Sequence, residues 1–328
     1  MELKNFKWDQ DADGIVTLTW DVPGRTMNVL TGSAIAELAQ AAEMVAGDAA
    51  IKGLVITSGK ANGFCAGAAL DEMESGASAA GGASKVQSPE EAVAARYNGV
   101  MQFHHALRKL ETCGKPVAAA INGLALGGGL EVTLACHYRV VSDNPKVQLG
   151  LPESKVGLLP GGGGTQRLPR LIGAMQAFPL LLQGTSVDPQ KAVALKIVHK
   201  AAPADALVAE AKKWIKETPD PVQPWDKKDY KIPGGGPYSP GGGQAFTMGN
   251  SMLRKETYGN YPAQRYILSC VYEGLQVPIE AGLRIEARYF TKLMMQPESR
   301  NMIRSLFLSM QELGKGARRP HSEPKTDV

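Results

Sequence analysis

Hydrophobic and polar positions alternate with two different periods over the first sixty residues. Residues 6–8 and 15–20 carry apolar side chains at about every second position, and the Asp-Gly pair at 13–14 between them is typical of a turn. Residues 31–46 repeat apolar side chains at helical spacing, which predicts a helix. The short apolar run at 52–58 (KGLVITS) predicts a buried strand.

The same alternation continues along the next 160 residues. The predicted elements are, in order, a mobile Gly/Ala/Ser-rich loop at 75–88, a helix at 90–112, strands at 116–121 and 138–142, and helices through about 183 and at 205–218. Strands that alternate with helices favour an α/β fold.

The pattern changes beyond residue 218. Residues 219–262 are rich in Pro and Gly, and we predict no regular structure there. Three helical stretches follow, and the last two repeat apolar residues at helical spacing, which predicts that they pack against the core. The expected organisation is a core at 1–218, a connection at 219–262, a helical region at 263–314 (stretches 263–277, 278–295 and 297–314), and a polar tail or interdomain linker at 315–328.

Two glutamates each lie beside a glycine-rich run. Glu131 closes the run 123–131, and Glu153 precedes the run 157–165, which contains four successive glycines. Glycine allows close approach to the main chain, and N–H groups that open a helix suit an anion or a developing oxyanion. Two carboxyls can divide proton transfer, one ionised as a base and one protonated as an acid. The combination indicates an enzyme.

A third turn follows the predicted strand at 52–58. Residues 59–70 are mostly small and open into a helix. A backbone N–H in this turn is a candidate second donor to the same oxyanion.

These three turns resemble the crotonase (enoyl-CoA hydratase/isomerase) family. Its motifs F-x-A-G-A-D-L, N-G-x-A-x-G-G-G-x-E and P-E-x-x-x-G-L-x-P-G-x-G-G-T-Q-R-L match 64–70, 122–131 and 152–168, in the family's order. The resemblance extends over about 14–218. It implies a crotonase-like spiral of repeated ββα units, which here carries a C-terminal helical extension.

The resemblance also implies roles for the matching residues. The backbone N–H groups of Ala68 and Gly128 would form an oxyanion hole for a thioester carbonyl. Glu131 would activate a water molecule, and Glu153 would protonate C2 of the acyl chain. How two such protons are shared is a property of the pair.

Two further matches concern substrate binding. The resemblance places the backbone of Ala66 next to CoA and places Gly161 in the wall of the acyl pocket. One position departs from the motif, because Ala69 stands where the family usually has Asp. Whether Asp71 or Glu72 replaces that carboxylate is open.

The favoured hypothesis is an enoyl-CoA hydratase of fatty-acid β-oxidation, which adds water reversibly to trans-2-enoyl-CoA and gives 3-hydroxyacyl-CoA. The same site leaves open a Δ3-Δ2-enoyl-CoA isomerase, in which one glutamate moves a proton between C2 and C4. A third hypothesis is a non-catalytic acyl-CoA-binding or assembly module. The presence of both Glu131 and Glu153 argues against it, because binding alone would not need them.

The C-terminal extension resembles the end of the hydratase half of multifunctional fatty-acid oxidation proteins. It implies a dehydrogenase domain or a thiolase as partner, and it leaves a homo-oligomer open. No strand is followed by a G-x-G-x-x-G turn, so we predict no NAD site. We expect neither a metal nor an organic cofactor, since CoA is part of the substrate.

Composition adds several exclusions. The 328 residues carry a formal net charge of only +4 and no dense Lys/Arg stripe, which argues against a nucleic-acid partner. The four cysteines form no C-x-x-C pair. We find no signal peptide and no apolar run near the ~20 residues that a membrane span needs, so we expect a cytoplasmic location.

Overall fold

The computed structural model of the chain describes residues 3–61, 63–75 and 88–316. Nearly all of the predicted loop at 75–88 and of the predicted tail at 315–328 lies outside these residues. The strands are β1 (Phe6–Gln10), β2 (Ile15–Trp20), β3 (Gly53–Ser58), β4 (Gly63–Cys65), β5 (Val117–Ile121), β6 (Leu124–Leu126), β7 (Tyr138–Ser142), β8 (Leu149–Gly150), β9 (Ser186–Val187) and β10 (Lys200–Ala202). They form one sheet in the order β1-β2-β3-β5-β7-β10 and a smaller one in the order β4-β6-β8-β9.

The large sheet starts with the predicted pair of strands. β1 and β2 are antiparallel, with Phe6 opposite Trp20, and Gly14 has the positive φ of 77° that the turn between them requires. The other strands continue parallel to β2. β3 and β5 are buried at nearly every position, as expected for parallel strands that are covered on both faces.

The small sheet positions the turns that carry the predicted site residues. β4, β6 and β8 are parallel neighbours, so their carboxyl ends meet at one edge. β4 leads into residues 66–69, β6 leads into Gly127, and β8 leads into a 3-10 helix, Pro152–Val156. A single bridge between Leu30 and Ala68 fixes the first of these turns. The three turns therefore surround one space.

Helices cover both faces of the large sheet. They are α1 (Gly32–Gly47), α2 (Leu70–Ser75), α3 (Pro89–Thr112), α4 (Gly128–Leu134), α5 (Gly164–Ile172), α6 (Ala174–Leu182), α7 (Pro189–Ala194), α8 (Leu207–Glu217), α9 (Pro240–Thr257), α10 (Pro262–Gly274), α11 (Ile279–Met294), α12 (Pro297–Met302) and α13 (Ser309–Gly314). α1 and α3 join the main core together with Leu54 and Ile56 of β3, whereas α8 packs on the opposite face against Val55. None of the described helices combines the length and apolarity that crossing a bilayer would require.

The prediction that residues 219–262 lack regular structure is wrong, because α9 lies within them. Pro240 occupies the first turn of α9, where its missing N–H costs nothing, and the Ser239 side chain accepts a hydrogen bond from the N–H of Gly242. Phe246 then packs edge-on against Phe178, with ring centroids 5.3 Å apart. Three of its four glycines lie in the first turn, and tertiary packing of the later turns outweighs their low helix propensity.

The predicted C-terminal helices form, but only some of them pack as expected. α10 and α11 match the first two stretches, and α11 buries its apolar stripe. The third stretch consists of α12, a π-helical segment (Ile303–Leu308) and α13. Most of its apolar stripe is exposed, with Leu306 at 57%, Met310 at 61% and Leu313 at 53%. The prediction of core packing is wrong here, because periodicity defines a face but not its partner.

Candidate active site

A cavity of about 600 Å³ lies at the edge where β4, β6 and β8 end. Its lining is mostly apolar and includes Leu30, Ile35, Val100, Phe103 and Phe290, with Leu306 and Phe307 contributed by the π-helical segment. Glu131 and Glu153 both line it, although they come from different segments of the chain. An apolar cavity with a few convergent polar groups is the usual form of a small-molecule site.

Glu131 is held rigidly at the first turn of α4. Its side chain is 2% exposed, and its Oε1 accepts hydrogen bonds from the N–H groups of Gly162 and Gly164, both at 2.7 Å. Burial raises the pKa of Glu131 to about 7, although these two donors and the Arg167 guanidinium oppose the shift. A carboxyl with this pKa exchanges a proton readily near neutral pH.

Glu153 has a different environment, although it faces the same cavity. It lies in the 3-10 helix Pro152–Val156, and its Oε2 is buried without a hydrogen-bond partner in the described part of the chain. Burial and the nearby Glu131 carboxylate both raise the pKa of Glu153 well above its usual range. This environment favours the protonated form of Glu153.

The glycines between the two carboxyls have little room for a side chain. A Cβ on Gly127 would lie 2.9 Å from Glu153 Oε1, and a Cβ on Gly128 would lie 3.8 Å from Glu131 Oε2 and only 2.2 Å from Leu30 Cδ1. Gly127 also has a positive φ of 54°. The backbone of Gly127 and Gly128 therefore lies between the two carboxyls, where there is no room for a side chain.

The predicted oxyanion donors lie in adjacent turns. A Cβ on Gly67 would be 3.7 Å from the Gly128 nitrogen, so the turn that contains Ala68 lies against the start of α4. The N–H of Gly128 belongs to the first turn of α4, where a helix has no internal acceptor for it. Ala68, Gly128, Ala66 and Gly161 all line the cavity, so the structure brings together every residue that the sequence placed in the site.

The turn at 66–69 is fixed by main-chain contacts, with no carboxylate at residue 69. Leu30 donates its N–H to Gly67 O at 2.8 Å, and Ala69 donates to Leu30 O at 3.1 Å. Asp71 contacts Arg25 instead, with Nη2 and Oδ2 3.0 Å apart. These contacts explain how the chain keeps the turn in place with Ala69 at the position of the usual Asp.

Phe290 belongs to the site, although the sequence offered no motif for it. A Cβ on Gly161 would lie 2.7 Å from ring atoms of Phe290, so the glycine lets this ring form the cavity wall. Phe290 comes from α11, in the region that the sequence placed outside the catalytic core. Its position in the apolar stripe of α11 indicated burial only.

A buried ion pair supports the turn that holds Glu131. Arg167 donates from Nε and Nη2 to the two carboxylate oxygens of Glu111, at 2.7 and 2.9 Å. Its Nη1 donates to the carbonyl oxygen of Gly162 at 2.9 Å. This bidentate pair fixes the guanidinium, and the guanidinium fixes the turn.

Glu286 is a third buried carboxyl that sequence analysis missed. It projects from α11 and is fully buried against the N-terminus of α5, where Gly163 and Thr165 contact it. Burial and Glu131 raise the pKa of Glu286 well above its usual range. The available signal was a glutamate inside an apolar stripe, three residues after Leu283 and four before Phe290.

Solved structures identify the fold. An enoyl-CoA hydratase/isomerase from Pseudoalteromonas atlantica matches with a TM-score of 0.61 at 22% identity, over 98% of this chain and 100% of that one. An enoyl-CoA hydratase from Bacillus anthracis matches with a TM-score of 0.56 at 24% identity, also over 98% and 100%. The chain therefore has the predicted crotonase fold, with a helical C-terminal region.

Comparison by sequence defines the family as well as the fold. A sequence model of the family described as Enoyl-CoA hydratase/isomerase matches residues 10–222. The chain belongs to the enoyl-CoA hydratase/isomerase family.

Longer relatives match nearly the whole chain. Two proteins named fatty acid oxidation complex subunit alpha, from Shewanella amazonensis and Shewanella halifaxensis, are 40% and 38% identical over 98% of this chain. The chain spans 43% of the length of each of them.

Proposed function

We propose that the chain is an enoyl-CoA hydratase of fatty-acid β-oxidation, which adds water reversibly to trans-2-enoyl-CoA and forms 3-hydroxyacyl-CoA. The observation that carries the proposal is the pair Glu131 and Glu153, two buried carboxyls in different environments at one apolar cavity. Family membership and the names of the relatives support the same reaction class.

In the proposed reaction, the N–H groups of Ala68 and Gly128 hold the thioester oxygen. Glu131 takes a proton from water as the water oxygen bonds to C3, and the electron pair of the double bond moves through C2 onto the thioester oxygen. The resulting enolate collapses as Glu153 gives its proton to C2. Fixed donors to such an oxyanion contribute about 10²- to 10³-fold each in rate.

The surroundings of the cavity suit an acyl-CoA. Ala66 and Ala68 are exposed next to it, which gives CoA access to the main chain. Phe103 and Phe290 provide apolar walls for an acyl chain, and Gly161 leaves space for the second ring. CoA enters as part of the substrate, and the proposed chemistry uses carboxyls and backbone amides with no additional cofactor.

An isomerase reaction in the same cavity is the second candidate. The unpartnered Oε2 of Glu153 favours it, because a carboxyl oxygen that no hydrogen bond restrains can reach both C2 and C4. This reaction would move one proton between these carbons without adding water.

The length of the relatives suggests a larger assembly. Their name describes them as subunits of a complex, and the chain corresponds to 43% of each. We therefore propose that this chain works beside a dehydrogenase domain or a thiolase partner. A homo-oligomer and a cytoplasmic location stay predictions.

The proposal is tested by the loss of absorbance of the enoyl thioester with crotonyl-CoA and with a longer trans-2-enoyl-CoA. We expect turnover by the wild type and a loss of about 10²-fold or more in both Glu131→Gln and Glu153→Gln. Glu217→Gln, an exposed residue at the end of α8, is the matched control and should keep full activity. A wild type that isomerises 3-enoyl-CoA without hydrating crotonyl-CoA would support the second candidate, and one that only binds acyl-CoA would support an assembly module.

A further inference from the structure

The glycine-rich turn 162–165 presents alternate N–H groups to two different carboxyls. Its first and third N–H groups donate to Glu131. Its second and fourth donate to Glu286, at 2.5 Å to Oε1 and 3.0 Å to Oε2. A backbone with three glycines has little rotational restraint of its own, so these two carboxyls define its conformation.

The contacts around Glu286 are hydrogen-bond donors. The Thr165 hydroxyl accepts a hydrogen bond from Gln166 Nε2 at 3.0 Å and donates to Glu286 Oε2 at 2.5 Å. His104 Nε2 lies 3.5 Å from Glu286 Oε1, and the His104 side chain is fully buried. Neither ring nitrogen of His104 has a hydrogen-bond partner within the described ranges. An otherwise unpartnered imidazole therefore faces the Glu286 carboxyl.

We propose that Glu286 is a positioning residue of the hydratase site, which holds the turn 162–165 from the side opposite Glu131 and thereby fixes the direction of the Glu131 carboxylate. This inference rests on the function proposed above. Through Glu286, α11 contributes to the site although it lies outside the segment that the family motifs cover.

Glu286 acts on Glu131 through the turn that lies between them. Burial and Glu131 raise the pKa of Glu286 well above its usual range, which favours its protonated form. The N–H groups of Gly162 and Gly164 lower the pKa of Glu131 against the effect of burial, so a turn that Glu286 no longer holds makes ionisation of Glu131 harder. The other titratable or charged groups around the two carboxyls are Glu153 from the 3-10 helix, His104 and Glu111 from α3, Arg167 from α5, and Cys270 and Glu273 from α10. Glu286→Gln leaves all of these residues in place and removes one carboxyl oxygen that accepts from the turn.

The test is the pH dependence of crotonyl-CoA hydration by Glu286→Gln. Gln offers one acceptor oxygen where the turn needs two, so we expect kcat to fall about 10- to 100-fold while KM changes little. The acid limb of kcat/KM should move to higher pH by roughly 0.5 to 1 unit, because Glu131 then loses part of the N–H donation that favours its ionised form. The matched control is Glu280→Gln in the same helix, whose carboxylate pairs with Arg108 near the surface, and its acid limb should not move.

An unchanged acid limb, or an unchanged kcat with only a lower melting temperature, would overturn the inference. If Glu286→Gln does not fold, Thr165→Val and Thr165→Ser replace it. Val removes the hydroxyl donor to Glu286 and should slow hydration about tenfold, whereas Ser keeps the donor and should retain near wild-type activity. Equal activities of these two variants would overturn the inference.

A wild type without hydratase activity would overturn the proposed function. The role of Glu286 is then tested by titrating the Glu131 carboxyl directly. Protein with 13C-labelled glutamate carboxyls is titrated by NMR, and the Glu131 signal is assigned by its loss in Glu131→Gln. A higher midpoint for Glu131 in Glu286→Gln, with no change in Glu280→Gln, would support a role for Glu286. An unchanged midpoint in Glu286→Gln would overturn it.

Discussion

Glu131 and Glu153 face one cavity but are held in opposite ways. Two backbone N–H groups donate to Glu131 Oε1, whereas Glu153 Oε2 is buried without a partner among the described residues. Hydrogen bonds to a carboxylate favour its ionised form, and burial without them favours the neutral acid. The difference supports a base at Glu131 and an acid at Glu153.

The segments around Glu131 and Glu153 also differ in how firmly they are held. Glu131 lies in the first turn of a fully buried helix. It contacts the turn 162–165, to which Arg167 and Glu286 are also hydrogen-bonded. Glu153 lies in a short 3-10 helix that ends at Gly157, with a φ of 74°. A base that must orient water benefits from a fixed direction, while an acid must follow C2 as the substrate rehybridises.

The greatest loss of activity is expected when Glu131 and Glu153 are substituted. In a cycle of Glu131→Gln, Glu153→Gln and the double variant, each single change should lower kcat by about 10²- to 10⁴-fold. The double variant should be little slower than the slower single variant, because the two residues act on one transition state. If the double variant loses the product of the two single fold-losses in hydration rate, the two residues do not act in a shared step.

A smaller effect is expected when the turn that supports Glu131 is disturbed. A Cβ at Gly162 would lie 2.8 Å from Glu131 Oε2 and 2.4 Å from Phe103, so Gly162→Ala forces both side chains to shift. We expect kcat to fall about 10²-fold, the size associated with a misplacement near 1 Å. Gly47→Ala in α1 is the control, since no atom lies within 4 Å of its Cβ. Full activity of Gly162→Ala would show that the direction of Glu131 is not critical.

The elevated pKa of Glu131 predicts a gain in stability when its charge is removed. With a folded pKa of about 7 and an ordinary glutamate pKa of 4.5 in the unfolded chain, the contribution of Glu131 to stability is complete below pH 4.5 and is lost as the pH rises through 7. Glu131→Gln should therefore exceed the wild type in free energy of unfolding by up to roughly 3 kcal/mol at pH 8, and much less at pH 4.5. Urea denaturation at the two pH values measures this, and a difference independent of pH would contradict a buried titrating Glu131.

The smallest effect concerns the carboxylate nearest to the turn at 66–69. Asp71 pairs with Arg25, both partly exposed, and the turn is fixed by main-chain bonds to Leu30. Asp71→Asn should change kcat/KM by no more than about threefold and stability by at most about 0.5 kcal/mol. A loss of tenfold or more in crotonyl-CoA hydration would show that Asp71 replaces the acid missing at Ala69.

The sequence was sufficient for the turns that carry Glu131 and Glu153, because each of them has a local motif. The short strands β6 and β8 that lead into these turns were not predicted. It was insufficient for Glu286, whose partners lie more than 120 residues away and are bound through their main chain. The exposed stripe around Met310 was predicted to be buried, since a helical period does not reveal whether a partner exists in the same chain. α9 was missed because packing outweighed its glycines.

Exchange of the C2 protons of butyryl-CoA in D₂O, followed by NMR, tests the division between the two glutamates most directly. This saturated thioester cannot be hydrated, but its C2 proton can be removed to give the enolate and returned as a deuteron. We expect Glu131→Gln to keep the exchange within about tenfold of wild type and Glu153→Gln to lose about 10²-fold or more, because Glu153 transfers the C2 proton. Equal loss in both variants, or loss only in Glu131→Gln, would contradict this division of roles.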